Sequence, residues 1–278
     1  MSAAAPPRVA IVTDSTADLP PERARRLGIV VVPLTVLIDG VSYADGELDQ
    51  AEFFRRAAQA PDIPTTSQPS AAQFQAVYDG ITAETILSIH ISSKLSGTYA
   101  SALAAAAQLH QRDIRVYDSG TVSMSLGCIV QDAAEAAGQG ASAAEVARKI
   151  SVDTLGTGFY ALLDTLHFAQ RSGRINMAQA LLAGMLQIKP VISIRAGVVA
   201  AVDRRRTLRK GLERLVELAT RDAPFRHLAV LHAGNPVLAG ELAAQLRPLH
   251  DEVEVLPAGT VIGTHCGPGA VAACYLRR

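Results

Sequence analysis

Residues 86–109 read ILSIHISSKLSGTYASALAAAAQL, a strand pattern followed at once by a helix pattern. The apolar run from Ile86 to Ile91 is typical of a buried strand, and the alanine-rich run after Gly97 favours a helix. Hydroxyl side chains, Ser96 among them, fill the short loop between the two. The N-terminus of a helix has unpaired N–H groups and a partial positive charge, so a hydroxyl there can belong to an anion site. It can equally be an ordinary helix cap, and this stretch alone leaves both roles open for Ser96.

The order of strand, loop and helix repeats through the first half of the chain. Strands are predicted at Val9–Val12, Ile29–Ile38 (interrupted by Pro33), Ile86–Ile91 and Ile114–Tyr117, and helices at Pro21–Leu27, Asp49–Ala60, Ala71–Gly80, Thr98–His110 and Val122–Ala137. This alternation predicts a mostly parallel sheet with helices on both faces, because parallel neighbours need crossover connections.

The second half changes character, because a hairpin pattern interrupts the alternation. Two strand patterns, Pro190–Ile194 and Val198–Val202, flank a turn at Ala196-Gly197. The other predicted elements are strands at Phe159–Leu163, His227–Leu231, Glu252–Leu256 and Thr260–Ile262, and helices at Met177–Leu186, Leu208–Thr220, Val237–Leu246 and after the GPGA segment (267–270). We therefore predict an α/β protein of two domains. The N-terminal domain (1–155) has the mostly parallel sheet with helices on both faces. A helix at Ala143–Leu155 joins it to a smaller C-terminal α+β domain (156–278).

The composition disfavours several classes of protein. Apolar residues make up 49% and charged residues 19%, enough for a full core and too few charges for a disordered chain. The formal net charge is zero, which disfavours a DNA-associated regulator and nucleic-acid partners in general. The three cysteines are scattered and provide neither a disulfide framework nor a zinc site, so no metal is expected. Without a secretory signal or an apolar run of about 18 residues, we expect a cytoplasmic protein with no stable membrane insertion.

Polar side chains follow several of the predicted strands at the point where each strand ends. The segments are Asp14–Thr16, Ser92–Thr98, Asp118–Ser119, His232–Asn235 and Gly263–His265. Ligands of open α/β sheets bind outside the carboxyl ends of the strands, so these segments are expected to converge on one crevice. Each also has a purely structural explanation, such as an Asx-turn at Asp14. In a further hydroxyl-rich loop, Ser70 is the expected helix cap, and Thr66 lies too far from the helix to be one.

Eight ordered segments match the pattern of a known family. They are IVTDSTADLP (11–20), VVPLTVLIDG (31–40), TSQPS (66–70), SIHISSKLSGTYASA (88–102), DSGTVSMSLG (118–127), SGRIN (172–176), IKPVISI (188–194) and VIGTHCGPGA (261–270). On these motifs the chain resembles the DegV family of bacterial fatty-acid-binding proteins over positions 11–270. Eight segments in order make this a specific match, whereas a lone SxLSGT would be weak.

The resemblance implies a carrier without turnover of its own. A long-chain fatty acid, such as palmitate, would lie in a buried apolar tunnel with its carboxylate at the mouth. A separate ATP-dependent fatty acid kinase would then convert the carboxylate to an acyl-phosphate for phospholipid synthesis. No cofactor is implied besides the bound fatty acid, and transient contact with a membrane stays open. Burying a 16-carbon chain gains on the order of 12 kcal/mol before entropic costs, so the tunnel is energetically reasonable.

The resemblance also assigns roles to individual residues. Thr66 and Ser96 correspond to the hydroxyl groups that bind the carboxylate. Arg174, Arg206 and His265 correspond to residues near the mouth that are associated with kinase docking or phosphoryl transfer. The assignment of Arg206 can shift by register, because it belongs to the arginine run 204–206. The stretches Ala102–Ala107 and Met177–Leu186 are candidates for the tunnel walls.

The chain departs from the family pattern at individual positions, and an alternative function stays open. Cys266 stands where the family commonly has threonine, and Lys94 stands where a small residue is frequent; we expect Lys94 to point to solvent. The alternative function is a stand-alone acyl hydrolase or transferase that uses Ser93 or Ser96 as its nucleophile. The chain has no GxSxG motif, which disfavours this alternative. A Cys266–His265 nucleophile pair is disfavoured too, because adjacent residues need not face each other.

Overall fold

The computed structural model describes residues 8–174 and 188–278. In chain order the strands are β1 (Val9–Asp14), β2 (Val30–Val32), β3 (Thr35–Ile38), β4 (Val41–Ala44), β5 (Thr65–Ser67), β6 (Thr85–His90), β7 (Asp113–Asp118), β8 (Thr157–Leu162), β9 (Lys189–Arg195), β10 (Val198–Arg205), β11 (Phe225–His232), β12 (Glu254–Pro257) and β13 (Val271–Arg277). The helices are α1 (Pro21–Arg26), α2 (Gln50–Gln59), α3 (Ala71–Asp79), α4 (Thr98–Gln108), α5 (Met124–Gly138), α6 (Ala143–Gly156), α7 (His167–Arg171), α8 (Leu208–Asp222), α9 (Pro236–Leu246) and α10 (Thr260–Cys266). The predicted helix Met177–Leu186 lies outside the described residues.

A four-stranded parallel sheet forms the frame of the first half. Its strand order is β2-β1-β6-β7, and every neighbouring pair is parallel. All six residues of β1 and all six of β6 are buried, as expected for parallel strands covered on both faces. Helices α3 and α4 cover one face and α5 covers the other. The predicted parallel sheet with helices on both faces is therefore confirmed.

A six-stranded mixed sheet forms the second half, in the order β10-β9-β8-β13-β11-β12. Its neighbours are antiparallel except for β11 and β12. The predicted hairpin is present as β9 and β10. The α/β class, with a mixed second sheet, is thus as expected.

The secondary structure from Thr260 to the C-terminus was wrongly predicted. The expected strand Thr260–Ile262 is the first half of helix α10, and the expected final helix after residues 267–270 is strand β13, which lies inside the sheet. Six of the seven residues of β13 are buried, so it reads as a continuous apolar run that periodicity cannot assign. Helix α10 is capped from a distant part of the chain, because Asp45 Oδ1 accepts the N–H groups of Thr260 (2.8 Å) and Val261 (3.2 Å).

A small antiparallel sheet, β4-β3-β5, was not predicted. The expected long strand Ile29–Ile38 divides near Pro33 into β2 in the parallel sheet and β3 in this small sheet. The segment around Thr66, expected as a loop, is strand β5, and Thr66 pairs with Val36 of β3. This pairing holds Thr66 at a defined place in the molecule.

Helix α5 lies between the parallel sheet and the six-stranded sheet. Its buried face packs against β1 on one side and against β8 and β13 on the other, and one hydrophobic core includes residues of both sheets. Helix α6 leads directly into β8, so the predicted boundary at 155/156 falls at the end of α6. The division into two domains at that position stays a prediction. Among the helices of residues 8–174 and 188–278, none is long and apolar enough to cross a membrane.

Candidate functional site

A cavity of about 110 Å³ lies between the two halves of the molecule. Both halves contribute to its walls, so neither sheet alone forms it. The apolar lining residues are Leu34, Ile91, Leu95, Val122, Phe159, Leu163, Ala169, Ile192, Ile194, Val199, Val261 and Ile262, and the polar ones are Thr16, Thr66, Ser96, Ser172, Arg174, His265 and Cys266. The cavity is therefore apolar with a small set of polar groups, the usual character of a site for an amphipathic small molecule.

Thr66 and His265 meet at this cavity although 199 residues separate them. The distance from Thr66 Oγ1 to His265 Nε2 is 2.9 Å, within hydrogen-bonding range. Strand β5 holds Thr66, and His265 lies in the last turn of α10. Two of the five predicted site residues thus form a direct pair.

The imidazole of His265 is poorly solvated. Burial, and then the charge of Arg174, lower the pKa of His265 from 6.5 to about 4, so the ring is neutral near pH 7. Its Nδ1 atom is buried and has no hydrogen-bond partner among residues 8–174 and 188–278. A buried polar atom without a partner is costly, and beside a cavity it has capacity left for a ligand or a partner.

Arg174 provides a positive charge at the same place. The residue is exposed, and Nη1 donates to the carbonyl of Ser172 at 2.5 Å. Arg174 lines the main cavity and two neighbouring grooves as well, so it lies where the three meet. This is the position expected of a residue at the mouth of a site.

Ser96 lines the cavity from the other side and also supports its own helix. Its Oγ lies 2.8 Å from Thr98 Oγ1 and accepts the N–H of Thr98 at 3.3 Å. The formal N-cap residue of α4 is Gly97, which makes no side-chain cap bond. The two roles that the sequence left open for Ser96 are compatible when Thr98 donates to Ser96 Oγ, because the Ser96 proton is then free for a ligand.

Gly97 allows the two hydroxyl segments to approach each other. A Cβ atom at this position would lie 2.5 Å from Nε2 of Gln68, in the segment that carries Thr66. Only glycine permits this close contact without displacement of the Gln68 side chain. The approach brings the 66–70 segment against the N-terminus of α4.

Arg206 is not brought to this cavity. It is an exposed residue beyond the end of β10, and it lines none of the cavities described here. Val199, on the same strand, does line the cavity. Seven residues of extended chain span roughly 20 Å, so Arg206 is at the far end of the hairpin. Its role at the mouth stays a prediction.

The polar segments at the strand ends converge only in part. Thr16, Ser96 and His265 reach the cavity, whereas the segments 118–119 and 232–235 do not line it. Asp14 is fully buried and accepts the N–H of Thr16, as in the expected turn, and the N–H of Ile91 at 3.0 Å. Sequence reasoning did not select Thr16 as a site residue, nor Ser172, although Ser172 lies in the SGRIN motif.

The first of the two stretches expected as tunnel walls does not line the cavity. Ala102 and Ala105 pack against Phe74 and Tyr78 in the layer of α3 and α4, and no residue of 102–107 lines the cavity. The small side chains let α4 lie close to α3 and the sheet. The second candidate stretch, Met177–Leu186, lies outside the described residues.

The geometry does not provide an activated nucleophile at the cavity. The hydroxyl of Ser96 is bonded to Thr98 rather than to a histidine, and Ser93 contacts Asp118 only through its backbone N–H. Burial raises the pKa of the Cys266 thiol to about 12, and Sγ lies 3.6 Å from the carbonyl oxygen of Gly267, far from a reactive thiolate. Within the described residues no cluster of His, Cys, Asp and Glu could hold a metal ion.

Fold and site together define an α/β protein with two large sheets on either side of helix α5 and an apolar cavity that ends in neutral hydrogen-bonding groups and one arginine. The family model described as "Uncharacterised protein, DegV family" matches residues 8–278. The chain belongs to the DegV family.

Relatives and solved structures of this family agree over nearly the whole chain. Protein DegV of Bacillus subtilis is 33% identical and aligns with 96% of this chain and 98% of its own length. A DegV domain-containing protein of Listeria monocytogenes is 36% identical, covering 95% and 96%. The structure "Fatty Acid Binding of a DegV family Protein from Thermus thermophilus" superposes with a TM-score of 0.90 at 33% identity, covering 98% of this chain and 100% of that one. DegV of Bacillus subtilis, described as a fatty acid binding protein, superposes with a TM-score of 0.89 at 32% identity, covering 98% and 99%.

Proposed function

We propose that this protein binds a long-chain fatty acid, such as palmitate, with the acyl chain in the cavity between the two sheets and the carboxylate at Thr66 and Ser96. The observation that carries the proposal is the arrangement of the cavity. Its walls are apolar, and its polar groups are hydroxyls, a neutral imidazole and one arginine. The fatty-acid binding of the Thermus and Bacillus relatives supports the same ligand class.

The apolar walls provide most of the binding free energy. Each buried methylene group contributes about 0.8 kcal/mol, so a 16-carbon chain gains on the order of 12 kcal/mol before association costs. The hydroxyl groups mainly determine which end of the ligand faces the mouth. A carboxylate accepts hydrogen bonds only, and Thr66 and Ser96 can both donate.

The Thr66–His265 pair determines whether the threonine hydroxyl is available to a ligand. When Nε2 carries the ring proton, His265 donates to Thr66 Oγ1, and the threonine proton is free to bind a carboxylate. When Nδ1 carries it, Thr66 donates to the ring instead. We propose that the first tautomer is the binding form, since it turns Thr66 toward the ligand.

We further propose that the protein is a carrier rather than an enzyme and presents the carboxylate to a separate ATP-dependent fatty acid kinase in the cytoplasm. Acyl-phosphate formed in this way would serve phospholipid synthesis. The exposure of Arg174 beside two grooves supports access by a partner protein. Arg174 and His265, with Arg206 as the sequence-based third member, would assist docking or phosphoryl transfer. The bound fatty acid would lie between the two domains that the sequence predicts, 1–155 and 156–278.

The ligand is tested by extracting gently purified protein with organic solvent and analysing the extract by mass spectrometry. We expect a fatty acid in about equal molar amount to the protein, and delipidated protein should bind palmitate again in isothermal titration calorimetry. Protein that carries no lipid and shows no heat of binding with palmitate or oleate would refute the proposal.

The kinase step is tested separately, with palmitate-loaded protein, a fatty acid kinase subunit and radiolabelled ATP. Arg174→Ala and His265→Ala are expected to keep palmitate binding largely intact and to impair label transfer by at least tenfold. Arg221→Ala, which removes an exposed arginine from the end of α8, is the matched control. Equal loss of palmitate binding and label transfer in the two site variants would contradict this division of roles.

A further inference from the structure

The loop after β6 contacts the tip of the β9–β10 hairpin in the other sheet. Ser92 Oγ donates to the carbonyl of Gly197 at 2.7 Å, and Lys94 Nζ donates to the carbonyl of Ala196 at 2.8 Å. These two bonds, the loop–hairpin contact, are the hydrogen bonds between residues 92–96 and 194–199. Lys94 was expected to point to solvent; its ammonium group is exposed but bonded to the hairpin.

The hairpin tip has a defined shape that suits this contact. Ala196 and Gly197 have φ angles of 49° and 81°, as in the two-residue turns that match the twist of a hairpin. A Cβ atom at Gly197 would lie 2.7 Å from Ser92 Oγ and 3.4 Å from Lys94 Cδ. The tip therefore lies closely against the loop, and a side chain at Gly197 would displace it.

The loop–hairpin contact joins two parts of the cavity wall. Leu95 and Ser96 follow Lys94 directly, Ile194 and Val199 flank the hairpin turn, and all four line the main cavity. An outer groove on the same side is lined by Lys94 as well as by Ser96 and Val199. The contact thus lies between the cavity and the outer surface.

The size of the cavity makes this boundary important. Its volume, about 110 Å³, is below the roughly 150 Å³ of an apolar protein cavity that binds benzene. A long acyl chain has many more carbon atoms than benzene, so it needs room beyond this cavity, either in the adjoining grooves or between walls that move apart. Between the loop and the hairpin tip, two side-chain hydrogen bonds rather than a sheet ladder hold the wall together.

We propose that the loop–hairpin contact controls the entry and release of the ligand, with Lys94 and Ser92 as positioning residues that hold the hairpin tip over the cavity. Breaking the two bonds lets the tip move outward and widens the cavity toward the outer groove. This inference rests on the proposed binding of a fatty acid. It attributes the rate at which the fatty acid enters and leaves to residues that need not contact the carboxylate.

The test measures how fast cis-parinaric acid, a fluorescent long-chain fatty acid, leaves the protein for phosphatidylcholine vesicles in stopped flow. Lys94→Met is expected to release it on the order of tenfold faster, the effect of losing one hydrogen bond from a charged donor. Lys94→Arg keeps a donor and should remain within about threefold of the wild type. Lys210→Met, which removes an exposed lysine from α8, is the matched control.

A second measurement does not depend on a ligand. Amide hydrogen exchange of residues 189–205 in delipidated protein should be faster in Lys94→Met and in Ser92→Ala than in the wild type. Wild-type binding with unchanged release and exchange in both variants would overturn the role of the contact alone. Absence of any fatty-acid binding by the wild type would overturn the proposed function, and with it the role in release.

Discussion

Two histidines, one in the core and one at the cavity, each have a hydroxyl group as the partner of Nε2, but they differ in the partner of Nδ1. Nε2 of His90 lies 2.7 Å from Ser88 Oγ, as Nε2 of His265 lies 2.9 Å from Thr66 Oγ1. Nδ1 of His90 lies 3.0 Å from the carboxylate of Asp14, whereas Nδ1 of His265 is buried without a partner in the part of the chain that the structure describes. One imidazole is fully hydrogen-bonded and the other is not.

The difference separates a closed hydrogen-bond network in the core from an open one at the cavity. Asp14, His90 and Ser88 have the order of hydrogen bonds found in a catalytic triad. All three are fully buried in the parallel sheet, and the hydroxyl of Tyr78 donates to Ser88 at 2.8 Å. No substrate can reach this serine, so the network stabilises the fold. The incompletely bonded His265, beside a cavity, has unused capacity for a ligand or a partner.

The largest effect is expected from breaking the core network. Asp14→Ala removes the partner of the His90 ring and of the Ile91 N–H at once, leaving buried donors unsatisfied. The free energy of unfolding should fall by about 3–5 kcal/mol in urea denaturation. Asp251→Ala removes a solvent-exposed carboxylate and should cost less than about 1 kcal/mol. Equal losses in the two variants would contradict a structural role specific to the core network.

A smaller effect, visible in its pH dependence, is expected from His265. The pKa of its ring is about 4 in the folded protein and near 6.5 when unfolded, so the unfolded chain binds more protons between these values. This contribution to stability is complete above pH 6.5 and is lost as the pH falls toward 4, by about 2–3 kcal/mol in total.

Asp18 changes stability in the opposite direction, so the measurement needs a reference. Burial raises the pKa of Asp18 to about 7, and its contribution is lost as the pH rises from near 4 to 7. Urea denaturation of wild type and His265→Gln at several pH values between 4 and 7.5 isolates the histidine, because Asp18 is common to both. A difference between the two proteins that does not change with pH would show that His265 is not held neutral by burial.

The smallest effects are expected from removing single hydroxyl groups, at the cavity or in the core network. Thr66→Val should weaken palmitate binding about tenfold, equivalent to one hydrogen bond, and change stability little. Ser96→Ala should weaken it by a similar factor. Ser88→Ala should leave palmitate affinity unchanged and lower the unfolding free energy by about 1–3 kcal/mol.

Calorimetric titration with palmitate and urea denaturation of the same samples decide between these outcomes. Thr65→Val, on the exposed side of the same strand as Thr66, is the matched control for binding. If Ser88→Ala and Thr66→Val changed affinity alike, the two histidine networks would not have separate roles.

Local sequence patterns predicted most helices and strands of the first half. They failed where a contact with a distant segment determines the secondary structure. The buried strands β1 and β6, and α4 after its hydroxyl loop, follow from apolar runs and helix propensity, which act over a few residues. Helix α10 and strand β5 do not. Asp45 caps α10 across 215 residues, and β5 exists because Val36 offers Thr66 a partner strand.

The candidate site divides in the same way. The motifs identified Thr66, Ser96, Arg174 and His265 from their residue types and order, and these four line one cavity. They could not locate Arg206, because the position of a residue along a hairpin depends on strand register. Nor could they show that Lys94 bonds to Ala196, because the loop after β6 and the turn between β9 and β10 are 102 residues apart in the chain.

The sequence by itself determined the α/β class, the DegV membership and the residues at the polar end of the cavity, because each is written in local pattern and motif order. Only the tertiary structure decided that the alanine run of α4 packs against α3, that His265 is neutral beside Thr66, and that two side-chain bonds hold the hairpin over the cavity. The physical reason is that burial, solvation and hydrogen-bond partners come from residues far apart in the chain. Around the loop of residues 92–98, where the fold-deciding strand and helix meet, Ser92 and Lys94 bond to the distant hairpin, whereas Ser96 bonds to the neighbouring Thr98.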